Sequence, residues 1–329
     1  MPKKRALPPQ PKPAVPPPPI GILELDRFNE ASLTKWSELS RDIDQLADEL
    51  FYSVLPEQKR LRKEILEALE SIPGLQLQIQ NWARIVPYKY SLQPLSCVGS
   101  MLTVGGRFNP GAELDAQTMA PFPALYLAVD YETAFREKFQ MPSDGSTEGL
   151  TPQELALETG ASHSMFQLRG LLHNVFDMKV ESLEAAARVF RKIKMPTRAV
   201  TLKKKLQMKD LRMVTTGHEL HRTALEYNWR QGPVQFGLPA PSQVLAEFIR
   251  AAGFEGIHYK STKGPGHCLA LFPDRLQDQS FVELSDAAPA EVKHTKLSQE
   301  SAVELCGYDQ LPSQAKRLLA VTADAAKSA

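Results

Sequence analysis

The sequence is poor in cysteine and has no long apolar run. It holds 3 cysteines in 329 residues, Cys97, Cys268 and Cys306, and none of them forms a CxxC pair. An odd and sparse set does not build a disulfide framework, so we expect buried thiols in a reducing compartment. No apolar stretch approaches the roughly 18 residues that cross a membrane, and the N-terminus lacks the apolar core of a signal peptide. These absences predict a cytoplasmic protein with no membrane partner.

An excess of positive or negative charge is also missing. The chain has 39 basic and 38 acidic residues, which leaves a net charge of +1. This balance gives no global field that would attract nucleic acid, which is therefore not an expected partner. A local exception runs from Arg188 to Arg212, where ten basic residues stand beside a single acid, Asp210. This basic segment is either an anion-attracting patch or a solvated face, and its scarcity of aromatic residues argues against base stacking.

The common motifs of nucleotide and metal binding are absent as well. The sequence has no Walker loop, and no GxGxxG turn opens a helix. The histidines of "HELH", His218 and His221, lack the spacing of a zinc-binding HExxH motif. We therefore expect no metal.

What the sequence does contain divides it into four parts. Residues 1–22 are basic and rich in proline, which predicts an extended or disordered tail. Residues 23–78 are predicted to be a helical region, because apolar residues recur at helical spacing on both sides of Pro56. This region is either a packing layer on the main domain or a surface for a dimer or partner. Residues 79–285 form the main domain, and residues 286–329 form a C-terminal helical extension.

The main domain mixes short strands and helices without regular alternation. "SCVGSMLTVGGRF" predicts a hairpin, "ALYLAV" a buried strand, and "DYETAFREKF" a helix with Asp130 as its N-cap. "MFQLRGLLHNVFDM" predicts one or two strands, "SLEAAARVFRKI" a helix capped by Ser182, and "PSQVLAEFIRAAG" a helix ended by Gly253. "GIHYKS" and "HCLALF" predict two more strands. The pattern indicates an α+β fold with a mixed β core, flanking helices and an N-terminal helical layer.

One stretch, "VGGRFNPG", places Arg107 between a glycine pair and an Asn-Pro-Gly turn. Glycines let the chain pass close to another group, and a guanidinium offers a planar fork of donors for phosphate or carboxylate. The residues alone indicate either an anion site or a surface arginine in an ordinary hairpin. No spacing rule links Arg107 to polar residues further along the chain, such as Tyr126, Glu137 and Ser261.

Three blocks in a fixed order extend this interpretation. "GGRFNP", then "ALYLAVDYETAFREKF", then "AAGFEGIHYKS" with "GHCLALF" after it, resemble the RES-domain family, which is named for an arginine, a glutamate and a serine. "LLHNVFDM" resembles the strand of that family that ends in an aspartate. The resemblance covers residues 80–275 and implies an ADP-ribosyltransferase-like fold. The stretch 140–215 is longer than a compact member needs and stays unassigned.

The resemblance implies an enzyme that consumes NAD. Members of the family are typically bacterial toxins that cleave NAD by phosphorolysis or hydrolysis and are neutralised by an antitoxin. Carried over by position, the family's arginine falls on Arg107, its tyrosine on Tyr126, its glutamate on Glu137 and its serine on Ser261. An upstream arginine of the family falls on Arg84.

These positions suit the chemistry of NAD. The guanidinium forks of Arg84 and Arg107 would hold the pyrophosphate. Glu137 would stabilise the oxocarbenium-like ribose that forms as nicotinamide leaves. Tyr126 would stack on a ring of the cofactor, and Ser261 would hydrogen-bond the ribose or an incoming phosphate.

The sequence leaves several alternatives open. The acceptor of the ADP-ribose group is phosphate, water or, in an ADP-ribosyltransferase, a macromolecule. A catalytically silent member would serve only as a binding module. Some family members place a tyrosine after the upstream arginine, where this chain has Ile85, so one contact to nicotinamide is not carried over. The expected partners are NAD, inorganic phosphate and a protein antitoxin. Self-association into a homo-oligomer is a further open alternative.

Overall fold

The computed structural model describes residues 30–114, 119–143, 150 and 162–308, with side chains from residue 37 onward. Within these ranges the chain forms a mixed sheet flanked by helices, which confirms the predicted α+β class. Two predictions, the tail at residues 1–22 and the terminal helix at residues 311–329, lie outside the described residues.

The N-terminal region folds into helices α1 (Glu30–Tyr52), α2 (Leu55–Arg60) and α3 (Arg62–Glu70). Pro56 stands in the first turn of α2, where its missing N–H costs no helical hydrogen bond. Strand β1 (Leu75–Pro87) follows. The predicted helical region 23–78 therefore extends too far, because its last residues already belong to a strand.

The strands form one large sheet and one short hairpin. The hairpin pairs β2 (Gly105–Gly106) with β3 (Asn109–Pro110). The large sheet contains β1, β4 (Leu125–Ala128), β5 (His163–Asp177), β6 (Gly256–Lys260), β7 (His267–Leu271), β8 (Phe281–Leu284) and β9 (Lys296–Leu297). Its order is β1-β4-β7-β6-β5-β8-β9, and β1 also pairs with β5, so that strands β1, β4, β7, β6 and β5 close into a ring.

Some predicted strands differ in extent from the observed ones. "MFQLRGLLHNVFDM" belongs to the single strand β5 except for its last residue, Met178, which follows the strand. The hairpin predicted over "SCVGSMLTVGGRF" is wrong for most of its length, since only Gly105 and Gly106 of that stretch pair, and Val98–Ser100 form a 3₁₀ turn. The C-terminal extension predicted from residue 286 contributes strand β9 to the sheet, so its first part belongs to the main fold.

The remaining helices are α4 (Tyr131–Phe139), α5 (Val180–Phe190), α6 (Thr197–Lys205), α7 (Gly217–Ala224), α8 (Gln231–Phe236), α9 (Pro241–Ala251) and α10 (Gln299–Cys306). Asp130 caps α4 as predicted, because its Oδ1 accepts the Thr133 N–H at 2.7 Å. Ser182 does not cap α5, because that helix already begins at Val180.

The N-terminal helices pack on the main domain, in agreement with the packing-layer interpretation. Leu46 of α1 lies against Ala199 and Leu202 of α6. Acidic residues of α1 and α3 also pair with the basic segment that runs from Arg188 to Arg212. The pairs are Lys192 with Glu64, Arg198 Nε with Glu49 Oε1 at 3.5 Å, and Lys205 Nζ with Asp42 Oδ2 at 2.6 Å.

The two faces of the sheet bury separate apolar clusters, and strand alternation assigns residues to them. On β1, Ala83 and Ile85 belong to the cluster under the helices, whereas Trp82 belongs to the cluster on the opposite face. On β4, Tyr126 packs against the first cluster, whereas Leu125 and its neighbour Leu127 lie in the second. The face under the helices also carries the site described below.

The cysteines are free and buried, as the sequence predicts. Burial raises the pKa of the Cys97 thiol to about 12, so this thiol stays protonated at neutral pH. Within the described helices, none combines the length and the apolar character that a bilayer crossing requires.

Candidate active site

Arg107 stands in the turn between β2 and β3, on a loop whose backbone requires glycine. Gly105 has a φ of +88°, and a Cβ there would lie 2.1 Å from the Asn109 carbonyl oxygen. A Cβ on Gly106 would lie 2.3 Å from the Tyr126 hydroxyl oxygen. The glycine pair therefore lets the loop press against Tyr126 and turn Arg107 inward, where its side chain is only 3% exposed.

A buried glutamine fixes this loop in place. Gln243 of α9 is fully buried, and its Nε2 group donates to the carbonyls of Val104, Gly106 and Asn109 at 2.9, 2.9 and 3.0 Å. The Gln243 Oε1 atom accepts the Ala240 N–H at the start of the same helix. Nothing in the sequence pattern of α9 indicates this role, because the residue occupies one position of an ordinary amphipathic helix.

The guanidinium of Arg107 contacts distant parts of the chain. Its Nη1 donates to the Glu226 carbonyl at 2.7 Å, and its Nη2 donates to Thr262 Oγ1 at 2.6 Å. Its Nε is buried, and no described group accepts a hydrogen bond from it. The guanidinium also lies over the Trp229 ring, 5.9 Å from the centroid. This arginine is therefore a buried cation with spare donor capacity rather than a surface residue of an ordinary hairpin.

Glu137 lies on α4 with its side chain half-buried, directed toward the loop after β6. Its Oε1 accepts the Ser261 hydroxyl at 2.6 Å and the Thr262 N–H at 3.1 Å. No hydrogen bond from a described residue reaches its second oxygen, Oε2. One carboxylate oxygen is thus fixed by the protein, and the other remains available to accept from a ligand.

Ser261 acts on Glu137 in this geometry. Its hydroxyl oxygen accepts the N–H groups of Lys263 at 3.0 Å and Gly264 at 2.8 Å, while its proton goes to Glu137. These contacts use the hydroxyl's one donor and its acceptor sites. Ser261 therefore holds one oxygen of the carboxylate, and the contact to ribose or phosphate that the resemblance implies stays a prediction.

Tyr126 supports the glycine loop. Its hydroxyl donates to Asn109 Oδ1 at 2.8 Å and accepts the Phe108 N–H at 3.0 Å. Burial raises the pKa of Tyr126, and the charges of Arg107 and Glu137 both act on its hydroxyl. The ring also lies directly against Gly106, where a Cβ would come within 2.5 Å of its Cζ atom.

Arg84 is separated from this group by the sheet. Its neighbours Ala83 and Ile85 face the site, so alternation places Arg84 on the opposite face. There its guanidinium donates to the carbonyls of Pro94 at 2.7 Å, Tyr126 at 3.1 Å and Ser96 at 2.9 Å. Burial lowers its pKa. Apart from this contact with the Tyr126 backbone, the structure does not bring Arg84 together with the other predicted site residues, and its contacts are those of an arginine that holds a loop.

Arg107, Glu137 and Ser261 do come together, and Thr262 joins them. Its hydroxyl accepts from Arg107 and its N–H donates to Glu137, so this single residue bridges the cation and the carboxylate. Sequence reasoning did not identify Thr262, although its position directly after Ser261 was the available signal. The assembly offers a fixed carboxylate next to a buried cation, which suits a ligand that carries an anionic group and develops positive charge. In the parts of the chain described here, no cluster of side chains that could hold a metal is found.

Comparisons with known proteins agree with the blocks read from the sequence. The family model of the RES domain matches residues 81–291. No curated protein matches the sequence. A chain in the crystal structure of the M. tuberculosis MbcT–MbcA toxin–antitoxin complex is 15% identical, with a TM-score of 0.38, and the match covers 74% of this chain and 97% of that chain. At this TM-score the similarity carries no argument about activity or partners.

Proposed function

Because the chain belongs to the RES-domain family, whose model spans residues 81–291, we propose that it binds NAD and cleaves the bond between nicotinamide and ribose. The observation that carries the proposal is the Glu137 carboxylate, which Ser261 and Thr262 hold beside the buried Arg107. Residues from three separate blocks of the sequence meet there, in the order that the family's name describes.

Glu137 is the residue that acts on the reacting ribose. As the bond to nicotinamide stretches, positive charge develops on the ribose ring, and a fixed carboxylate beside it lowers the energy of that state. Ser261 and Thr262 occupy Oε1, so Oε2 is the oxygen that faces the sugar or its hydroxyls. Because the carboxylate is held before the substrate arrives, little reorganisation is needed during the reaction.

Arg107 is the residue that binds the pyrophosphate. A guanidinium matches the geometry of phosphate oxygens and offers paired donors. The adjacent Nη1 and Nη2, which now donate to the Glu226 carbonyl and to Thr262 Oγ1, supply such a pair, and the free Nε is a further donor. Arg84 has no part in this proposal, since its donors are used by backbone carbonyls on the other face of the sheet.

The biological role that we propose follows from the chemistry. An enzyme that consumes NAD without restraint would deplete a coenzyme that the cell needs, so a protein partner that blocks the site would be required. We therefore propose that the protein is a toxin held by an antitoxin, with phosphate or water as the acceptor of the ADP-ribose group.

The test is incubation of the purified protein with NAD, with and without inorganic phosphate, followed by separation and mass spectrometry of the products. We expect free nicotinamide together with ADP-ribose or its phosphorylated form, and about two to three orders of magnitude less of both from the Glu137→Gln variant. Nicotinamide release with ADP-ribose attached to a polypeptide or nucleic acid would instead identify a macromolecular transferase. NAD binding without nicotinamide release would identify a binding module, and neither binding nor release would overturn the proposal.

A further inference from the structure

Lys263 is a second buried cation beside the site. It follows Thr262 directly, and its side chain is only 5% exposed. Its Nζ lies 3.1 Å from the centroid of the Tyr227 ring and 3.4 Å from the Tyr227 carbonyl oxygen. Within the described ranges, no carboxylate forms an ion pair with it. A lysine is rarely buried without a paired charge, so this arrangement requires an explanation.

The compensation that Lys263 receives is partial. An aromatic face attracts an ammonium, but this attraction is smaller than the cost of removing the charge from water. The carbonyl contact at 3.4 Å is longer than a good N–H···O hydrogen bond. The Lys263 backbone is, by contrast, well fixed, because its N–H donates to Ser261 and its carbonyl accepts the Ser143 N–H at 2.8 Å. The Lys263 backbone is thus fixed beside Ser261, while no carboxylate among the described residues pairs with its ammonium.

Lys263 and Arg107 reach the same short segment of backbone. The Glu226 carbonyl accepts from Arg107 Nη1, and the carbonyl of the next residue, Tyr227, is the one nearest Lys263 Nζ. The carbonyl oxygens of two successive residues are therefore the backbone contacts of two cations. Through Thr262 the pair is linked to one carboxylate, that of Glu137, so two cations face one anion and a second anion would complete the charge balance.

From this geometry we propose that Lys263 and Arg107 form a two-cation site for a phosphate oxyanion, in which phosphate oxygens replace the carbonyls of Glu226 and Tyr227. The inference rests on the proposed function, because it places the phosphate beside the carboxylate of Glu137. The phosphate belongs either to the pyrophosphate of NAD or to the inorganic phosphate that accepts ADP-ribose. Both have the same recognition chemistry, and the experiment separates them.

The test compares Lys263→Met with Lys260→Met. Lys260 is an exposed lysine at the end of β6, three positions earlier, so its variant loses the same charge without loss of a buried group. Calorimetry gives the affinity for ADP-ribose and for inorganic phosphate, and steady-state kinetics gives KM for NAD and for phosphate. We expect Lys263→Met to weaken one of the two affinities about tenfold or more, the size typical of a lost charge-assisted hydrogen bond.

A loss confined to ADP-ribose and NAD assigns the site to the pyrophosphate, and a loss confined to inorganic phosphate assigns it to the acceptor. Lys263→Arg should keep most of the affinity, because a cation remains. If Lys263→Met does not fold, Lys263→Gln removes the charge but keeps the length and an N–H donor. Neutral variants that bind both probes as tightly as Lys260→Met does would overturn the inference.

The outcome is separable from that of the proposed function. If the protein binds ADP-ribose through Lys263 but releases no nicotinamide, the anion site stands and the enzyme proposal fails. If the protein cleaves NAD and Lys263→Met does so with unchanged KM values, the enzyme proposal stands and the anion site fails.

Discussion

The basic segment between Arg188 and Arg212 and the site around Arg107 both concentrate positive charge, but their charges meet different partners. In the basic segment, exposed side chains such as Lys192 pair with acidic residues of the N-terminal helices, Glu64 among them. At the site, Arg107 and Lys263 are almost fully buried and contact carbonyl oxygens, a hydroxyl and aromatic rings. Charge that is already neutralised by the protein holds helices together, whereas buried charge without a carboxylate partner indicates a ligand.

This comparison gives the two regions different sensitivities to substitution. Exposed ion pairs each contribute about 0–1 kcal/mol to stability. Buried groups that act on a transition state contribute about two to three orders of magnitude in rate. The following substitutions test that difference, starting with the largest expected effect.

Glu137→Gln should have the largest effect. It keeps the shape of the side chain and an acceptor for Ser261 but removes the negative charge. Turnover of NAD should fall by about two to three orders of magnitude while NAD affinity changes little, because the charge acts mainly on the oxocarbenium-like state. Initial rates of nicotinamide release and calorimetric NAD affinity check this. Glu181→Gln, an exposed glutamate on α5, is the matched control. Unchanged turnover would remove Glu137 from the mechanism.

Arg107→Lys should come next. A point charge does not reproduce the fork that donates to Thr262 and that we propose for the pyrophosphate, so we expect NAD affinity to fall about tenfold or more. Arg230→Lys is the control for the aromatic contact, since Arg230 is exposed and lies over the same Trp229 ring. Near-normal NAD binding by Arg107→Lys would show that the glycine loop is only a turn.

Ser261→Ala distinguishes two roles of one hydroxyl. If Ser261 orients Glu137, its loss should lower kcat by roughly tenfold and leave NAD affinity nearly unchanged, since a hydrogen bond to a charged group is worth about 1.5–3 kcal/mol. A loss of affinity with little change in kcat would instead support the direct contact to ribose or phosphate that the family resemblance implies. Steady-state kinetics with calorimetry separates these outcomes.

Lys192→Met tests the other region. Its pair with Glu64 is about half exposed on both sides, so the free energy of unfolding should fall by no more than about 1 kcal/mol, and less at high salt. Urea denaturation at low and high salt checks this, with the exposed Lys194→Met as control. NAD turnover should stay unchanged in both. A large loss of turnover would mean that the two regions are coupled.

Removal of residues 1–20 should have the smallest effect. The sequence predicts an extended proline-rich tail there, so turnover should stay within about twofold of that of the full chain. Parallel assays of the full and shortened proteins check this. A hundredfold loss would assign the tail to the fold or to the site.

Much of the fold could be predicted from local pattern. The apolar spacing before and after Pro56 predicted helices, the runs "ALYLAV", "GIHYKS" and "HCLALF" predicted strands, and Asp130 was identified as the cap of α4. Predictions failed where tertiary pairing decides the outcome. The predicted hairpin is observed only as the short β2–β3 pair around the glycine loop. Residues Lys296 and Leu297, which were predicted to belong to a helical extension, form strand β9 because they pair with β8.

The candidate site shows the same division. Sequence blocks selected Arg107, Glu137 and Ser261, and the structure brings these residues together. Arg84 was selected by the same means, but strand alternation and the position of the helices place it on the other face. The sequence shows that Arg84 and its neighbours Ala83 and Ile85 point to opposite faces of a strand, but it does not show which face carries the site. Gln243 was invisible as well, because its partners lie more than 130 residues earlier in the chain.

The sequence by itself determined the elements of this protein: its α+β class, its glycine loop, its capped helix α4 and the family to which it belongs. The tertiary structure alone decided which charges are neutralised. Periodicity reports that a residue is buried, but it does not report what covers that residue. The contacts of Arg107 with Glu226 and Thr262, and of Lys263 with Tyr227, join positions 119, 155 and 36 residues apart. Contacts of that range depend on the packing of whole elements, and local pattern carries no information about them.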